Sequence, residues 1–99
     1  MTIHISPEAK EYLDKKGKDA LTLAVEEHRM GGCAMGIAEP AIRLGAPKDA
    51  GNYHRTEVEG ITVYTSFVLR PKEGVPIEIG LDKVLGFKML VVSGFDMLG

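Results

Sequence analysis

The chain has 99 residues, of which 44% are hydrophobic and 26% charged, with a formal charge of −2 and one cysteine. That length suits one domain, which buries roughly two thirds of its surface on folding and needs no structural metal. The charge balance gives no electrostatic case for nucleic acid or an anionic membrane, and one cysteine excludes an internal disulfide framework.

Thr2 to Ile5 alternates polar and apolar residues, which predicts a short strand with His4 outward on an edge. Met1–Ile5 has no basic region followed by a long apolar run, so no signal peptide is read. Ser6-Pro7-Glu8 is a helix start: a capping hydroxyl, a proline at the first helical position and an acid at the positive end of the dipole. Ala9, Tyr12 and Leu13 define its apolar face, Lys15 and Lys16 suit its last turn, and Gly17 suits its end. Ala20 to Glu27 alternates as a half-buried strand, with Leu21, Leu23 and Val25 against Thr22, Ala24 and Glu26.

That strand leads into His28-Arg29-Met30-Gly31-Gly32-Cys33-Ala34-Met35-Gly36, which holds the lone cysteine and three glycines. Pro40–Leu44 predicts a further strand, and Gly45–Asn52 has turn chemistry throughout. Thr56 to Thr65 predicts two short strands around Glu59-Gly60, with Ile61, Val63 and Thr65 on one face. Ser66–Arg70 predicts one helical turn before Pro71. Val75 to Leu81 alternates as a strand. Phe87 to Val92 is apolar on both faces and predicts the most buried strand, bracketed by Gly86 and Gly94. The tail Phe95–Gly99 is expected to fray. The apolar patch Met89–Val92 is too short to span a bilayer. With no leader read and a lone thiol suited to a reducing compartment, a cytoplasmic protein is expected. One early helix and six or seven short strands predict a mainly β protein, a β-sandwich or partly closed barrel with the helix packed across it.

This order of elements resembles the HesB-like domain, the fold of the A-type iron–sulfur cluster carriers. The resemblance is carried by Ile5-Ser6-Pro7-Glu8-Ala9 and its helix, Gly31-Gly32-Cys33, Gly60-Ile61-Thr62-Val63-Tyr64, and Ile77-Glu78-Ile79-Gly80-Leu81. It is closer to a small HesB-like branch with a Cys-Cys or Cys-selenocysteine pair, through Gly32-Cys33 and the strand Pro40–Gly45. The chain departs from both patterns. Ala34 stands where the second member of the pair would be. The end Ser93-Gly94-Phe95-Asp96-Met97-Leu98-Gly99 lacks the Cys-Gly-Cys of the A-type carriers. Of the family's functional residues, the resemblance carries over Cys33 alone.

Three readings of Cys33 stay open. In the first, iron or an iron–sulfur cluster is bound where two copies of a homodimer meet, each supplying a Cys33 thiolate. Clusters usually take four thiolates, with histidine as an occasional substitute, so small thiols or iron–sulfur assembly proteins would complete the set. Gly31 and Gly32 let the backbone come close to such a ligand. His28, just before the glycines, is the nearest histidine ligand, with His54 a second candidate and Glu27 and Glu39 the neighbouring carboxylates. Zinc needs three or four protein ligands, and no tight Cys/His spacing offers them. In the second reading, Cys33 is a redox thiol activated by His28 and Arg29 and working with an external thiol. In the third, the domain has lost its metal chemistry and acts by contact with other proteins. Met30 and Met35 suit loop packing or a soft metal, and Arg43 and Arg55 suit a solvated face or an anion. A carrier-like role fits these residues better than an enzyme's.

Overall fold

Ser6 starts the only helix described, and it does so by local chemistry. Its side-chain oxygen accepts the Ala9 N–H at 3.1 Å, Pro7 occupies the first helical position, and Gly17 lies at φ +67° just past the end. The resulting helix α1, Pro7–Lys15, buries Ala9 and Leu13 completely and leaves Tyr12 half-buried with the Lys16 ammonium 5.5 Å from its ring centre. Replacing Ser6 by Ala removes the acceptor. The substitution is expected to cost about 1 kcal/mol in a urea melt; an unchanged midpoint would show that the cap contributes nothing.

The computed structural model describes the backbone of residues 2–29 and 36–95, and the side chains of residues 2–25 and 40–95. Before α1 lies β1 (Ile3–Ile5). After it come β2 (Ala20–Arg29), β3 (Gly36–Leu44), a 3-10 turn at Ala50–Asn52, β4 (Tyr53–Val58), β5 (Ile61–Ser66), β6 (Ile77–Val84) and β7 (Phe87–Ser93). They form two sheets, one in the order β1-β6-β7 and one in the order β3-β2-β5-β4. β1 runs parallel to β6 and β2 parallel to β5, while the other pairs are antiparallel. This is the mainly β, two-sheet fold with one N-terminal helix that the sequence predicts. α1 rests on β6, and its start is tied there by the Ser6 N–H donating to the Ile79 carbonyl at 2.9 Å.

Two hairpins close through two-residue turns whose residues both have positive φ. They are Glu59 and Gly60 between β4 and β5, and Leu85 and Gly86 between β6 and β7. Such turns match the right-handed twist of the strands they join. The core gathers Ile3, Ile5, Ala9, Leu13, Leu21, Leu23, Ile61, Val63, Leu69, Ile77, Ile79 and Phe95 from both sheets and the helix.

Four expectations change. Phe87–Val92 is not the most buried strand: Phe87 is 77% and Met89 50% exposed, and of this run only Leu90 and Val92 pack against the core. β7 is an outer strand of its sheet; Leu90 and Val92 face the core, and Phe87, Met89 and Val91 on its other side are exposed. Ser66–Arg70 is a tight turn, with the Leu69 N–H donating to the Ser66 carbonyl at 3.1 Å. It drops Leu69 into the core and leaves Phe67 and Val68 outside. Phe95, the first residue of the tail expected to fray, is instead buried and bridges Pro71, and Asp96–Gly99 lie outside the described residues. β2 is buried on both faces at its root, Leu21–Ala24, because β3 and β5 flank it and the Thr22 hydroxyl donates to the Gly45 carbonyl at 2.8 Å.

Candidate functional site

β2 and β3 form the longest ladder in the molecule, paired from Leu21 with Leu44 to Arg29 with Gly36. β5 supports β2 only over Ala20–Leu23. Beyond Leu23 the pair continues as a two-stranded arm among the described residues. Its root is fixed by the Gly45 N–H donating to the Ala20 carbonyl at 2.8 Å. Pro40 is tolerated opposite Val25 because β3 is the outer strand of its sheet and needs no further donor there.

The chain that joins Arg29 to Gly36 carries Gly31, Gly32 and Cys33, and these three, with Met30, Ala34 and Met35, lie outside the described residues. His28 stands on β2 in register with Ile37, one residue before the last pair of the ladder. Its side chain, like those of Glu27 and Glu39, also lies outside the described ones.

His54 is not brought to this end. It sits on β4 opposite Thr65, and Thr65 is in register with Leu23 at the root of β2. Six further residues of β2 separate that level from Arg29, roughly 20 Å of strand. Its ring instead meets Phe67 edge-on, with centroids 4.4 Å apart. A sequence reading could not see this, because it depends on which strand lies beside which. Among the described residues no three His, Cys, Asp or Glu side chains group closely enough to hold a metal ion. Arg55 is engaged by Glu57 at 3.2 Å, and Arg43 stands on β3 opposite Thr22. Ser93 ends β7 as an exposed residue, and Phe95 is a core residue.

Sequence reasoning missed a cleft of about 620 Å³ between α1 and the β6–β7 hairpin. Tyr12, Leu81 and Phe87 form its apolar wall, and Lys15, Lys16 and Lys88 its cationic rim. The Lys15 ammonium, 3.1 Å from Glu11 and hydrogen-bonded to it, holds the Glu11 carboxyl below its usual range. The cleft is open to solvent and its carboxylates are exposed, which suits no acid–base chemistry.

A family model described as the CC/Se motif containing family matches residues 1–95. The chain belongs to the CC/Se motif containing family. Two solved structures share the fold of this CC/Se motif protein at low identity. A crystal structure of IscA with a [2Fe-2S] cluster is 16% identical, with a TM-score of 0.56, and the match covers 94% of this chain and 82% of that one. Escherichia coli SufA, involved in biosynthesis of iron–sulfur clusters, is 12% identical with a TM-score of 0.59, over 94% and 80% of the two chains. No curated protein matches the sequence. The expected HesB-like fold is therefore present, in a member whose loop has one cysteine followed by Ala34. Among the described residues no helix is long and apolar enough to cross a membrane.

Proposed function

We propose that this CC/Se motif protein carries iron or an iron–sulfur cluster as cargo through the Cys33 thiolate, with two copies each supplying one thiolate. One observation supports the reading above the rest. The only cysteine falls in the connection at the end of the long β2–β3 arm, on a fold shared with IscA, which was crystallised with a [2Fe-2S] cluster. The β2–β3 ladder runs on past β5, which pairs with β2 only as far as Leu23. Gly31 and Gly32 permit the close backbone approach that a shared cargo requires. His28, one residue before the last pair of the ladder, is the protein ligand that a fourth position would use, and a small thiol or an assembly partner completes the set. The protein is a carrier in this reading and catalyses no reaction of its own.

Anaerobic reconstitution with ferrous iron and sulfide tests it. The wild type is expected to develop visible charge-transfer absorbance with iron and sulfide in stoichiometric ratio, and Cys33→Ala to remain colourless. A colourless wild type overturns the proposal. In a second reading Cys33 is a redox thiol with His28 and Arg29 close by in sequence; since Ala34 follows it and the chain has no second thiol, it works only with an external partner. It requires a lowered thiol pKa. Iodoacetamide labelling across pH separates the two: titration near the free-cysteine value removes the redox reading and leaves the carrier reading standing.

A further inference from the structure

The tip of the β6–β7 hairpin carries exposed apolar side chains. Leu85 is 93% exposed and lies at φ +51°, in a turn position that favours Asn, Asp or Gly. Neither burial in this chain nor backbone preference accounts for a leucine there. Val84 and Phe87, directly opposed in the last pair of the hairpin, are exposed beside it. The next pair back is Lys83 with Lys88. Like charges directly opposite each other on a sheet are unfavourable, so a negatively charged partner would relieve a cost that this chain bears alone.

The cleft beside the tip brings Lys15 and Lys16, at the end of α1, to Phe87 and Lys88. Among the described residues Lys16, Lys83 and Lys88 form no ion pair. The nearby acids are otherwise placed. Glu11 is paired with Lys15, and Asp82 turns a carboxylate oxygen to the Lys83 N–H at 2.8 Å. Glu8 lies in the first turn of α1, about 10 Å along the helix from Lys15. The formal charge of the whole chain is −2, which gives no case for an anionic surface. The fold creates a local one, because its lysines come from two elements far apart in sequence. Two features select the class of partner. Apolar side chains at a tip with cations just behind them match the layering of a bilayer, acyl chains beneath charged headgroups. All four cations are lysines, compact charges on flexible stems that suit diffuse negative charge, whereas the cores of protein interfaces favour arginine and are depleted in lysine.

We propose that the tip of the β6–β7 hairpin docks on an anionic lipid bilayer. Val84, Leu85 and Phe87 enter the boundary between headgroups and acyl chains, and Lys15, Lys16, Lys83 and Lys88 meet the negative charge of the headgroups. Insertion is shallow, because the backbone groups of the turn need water or headgroups as hydrogen-bond partners. The contact uses no residue of the Cys33 connection and does not rest on the carrier reading.

Co-sedimentation of the full chain with lipid vesicles tests it. The wild type is expected to bind vesicles of equal parts phosphatidylcholine and phosphatidylserine, to leave pure phosphatidylcholine vesicles unbound, and to be released by about 1 M salt. Leu85→Asn should weaken binding at least about tenfold. Since Asn suits the turn, this variant should hold or raise the melting temperature, which guards against misfolding as the explanation. Lys88→Glu should weaken binding at least about fivefold. Lys72→Glu is the charge control. It changes the net charge equally, but the Lys72 N–H meets the Gly94 carbonyl at the other end of β7, about 20 Å of strand from Lys88. Its effect should stay below about twofold. Equal binding to both kinds of vesicle, full binding by Leu85→Asn, or equal losses in Lys72→Glu and Lys88→Glu each overturns the proposal. A wild type that binds neither kind of vesicle also overturns it, and would turn the search towards a protein with an acidic surface.

Discussion

Gly94→Ala is expected to destabilise the protein by about 3 kcal/mol, although it adds one methyl group. Two costs combine at that position. Gly94 lies at φ +104°, a conformation that residues with a Cβ rarely adopt. The Cβ would also stand 2.5 Å from the Pro76 carbonyl oxygen and 3.0 Å from the Ile77 Cα. Both are backbone atoms of the chain entering β6, the central strand of its sheet, so they cannot swing aside as a side-chain tip would. The contact passes Gly94 between β7 and Phe95, which is buried in the core, and the Gly94 carbonyl accepts the Lys72 N–H at 2.8 Å. Gly86→Ala is the control. It has φ +84° with nothing within 4 Å of the added carbon, so it should cost only the backbone term, about 1–2 kcal/mol. Urea melts of the two variants separate the effects; equal losses would show that the close approach at Pro76 carries no energy.

Leu13→Ala should lose a similar amount, about 3 kcal/mol, through the cavity it leaves. Leu13 is 1% exposed and, with Ala9, joins α1 to the common core. A nine-residue helix has little stability of its own in water. Its Ser6 cap fixes where it starts, but the Lys15–Glu11 pair is fully solvated and cannot hold it in place. Amide exchange in α1 is therefore expected to speed up more than exchange in β2 or β5. A uniform change across the chain would mean that the helix and the sheets open only together.

Local chemistry was legible wherever it decides the structure alone. Ser6-Pro7-Glu8 marks the helix start, Glu59-Gly60 marks a hairpin, and the alternation of Ile61, Val63 and Thr65 identifies the buried face of β5. The failures share a cause in the arrangement of whole elements. Hydrophobicity on both faces of Phe87–Val92 shows what could be buried, but whether a second layer exists depends on the number of strands in the opposite sheet. Thr22 and Ala24 look solvent-facing by alternation, yet they lie inside because β2 has neighbours on both sides. Gly94 reads as a strand boundary, and its close approach to Pro76 is a contact across the sequence. At the candidate site, Cys33 is visible as a residue. The separation of His54 from it is not, since it follows from β5 standing between β2 and β4.

The two-stranded arm has a consequence for how such proteins change over time. Its anchoring lies at Leu21, Leu23, Thr22 and Gly45, far along the ladder from Arg29 and Gly36. The described anchoring of the scaffold therefore involves neither Arg29 nor Gly36, the two residues between which the connection runs. A lineage could exchange a thiol for Ala34 and keep the same scaffold. The architecture and the reactive group are thus separate questions, and the loop of this chain has to be judged on its own residues.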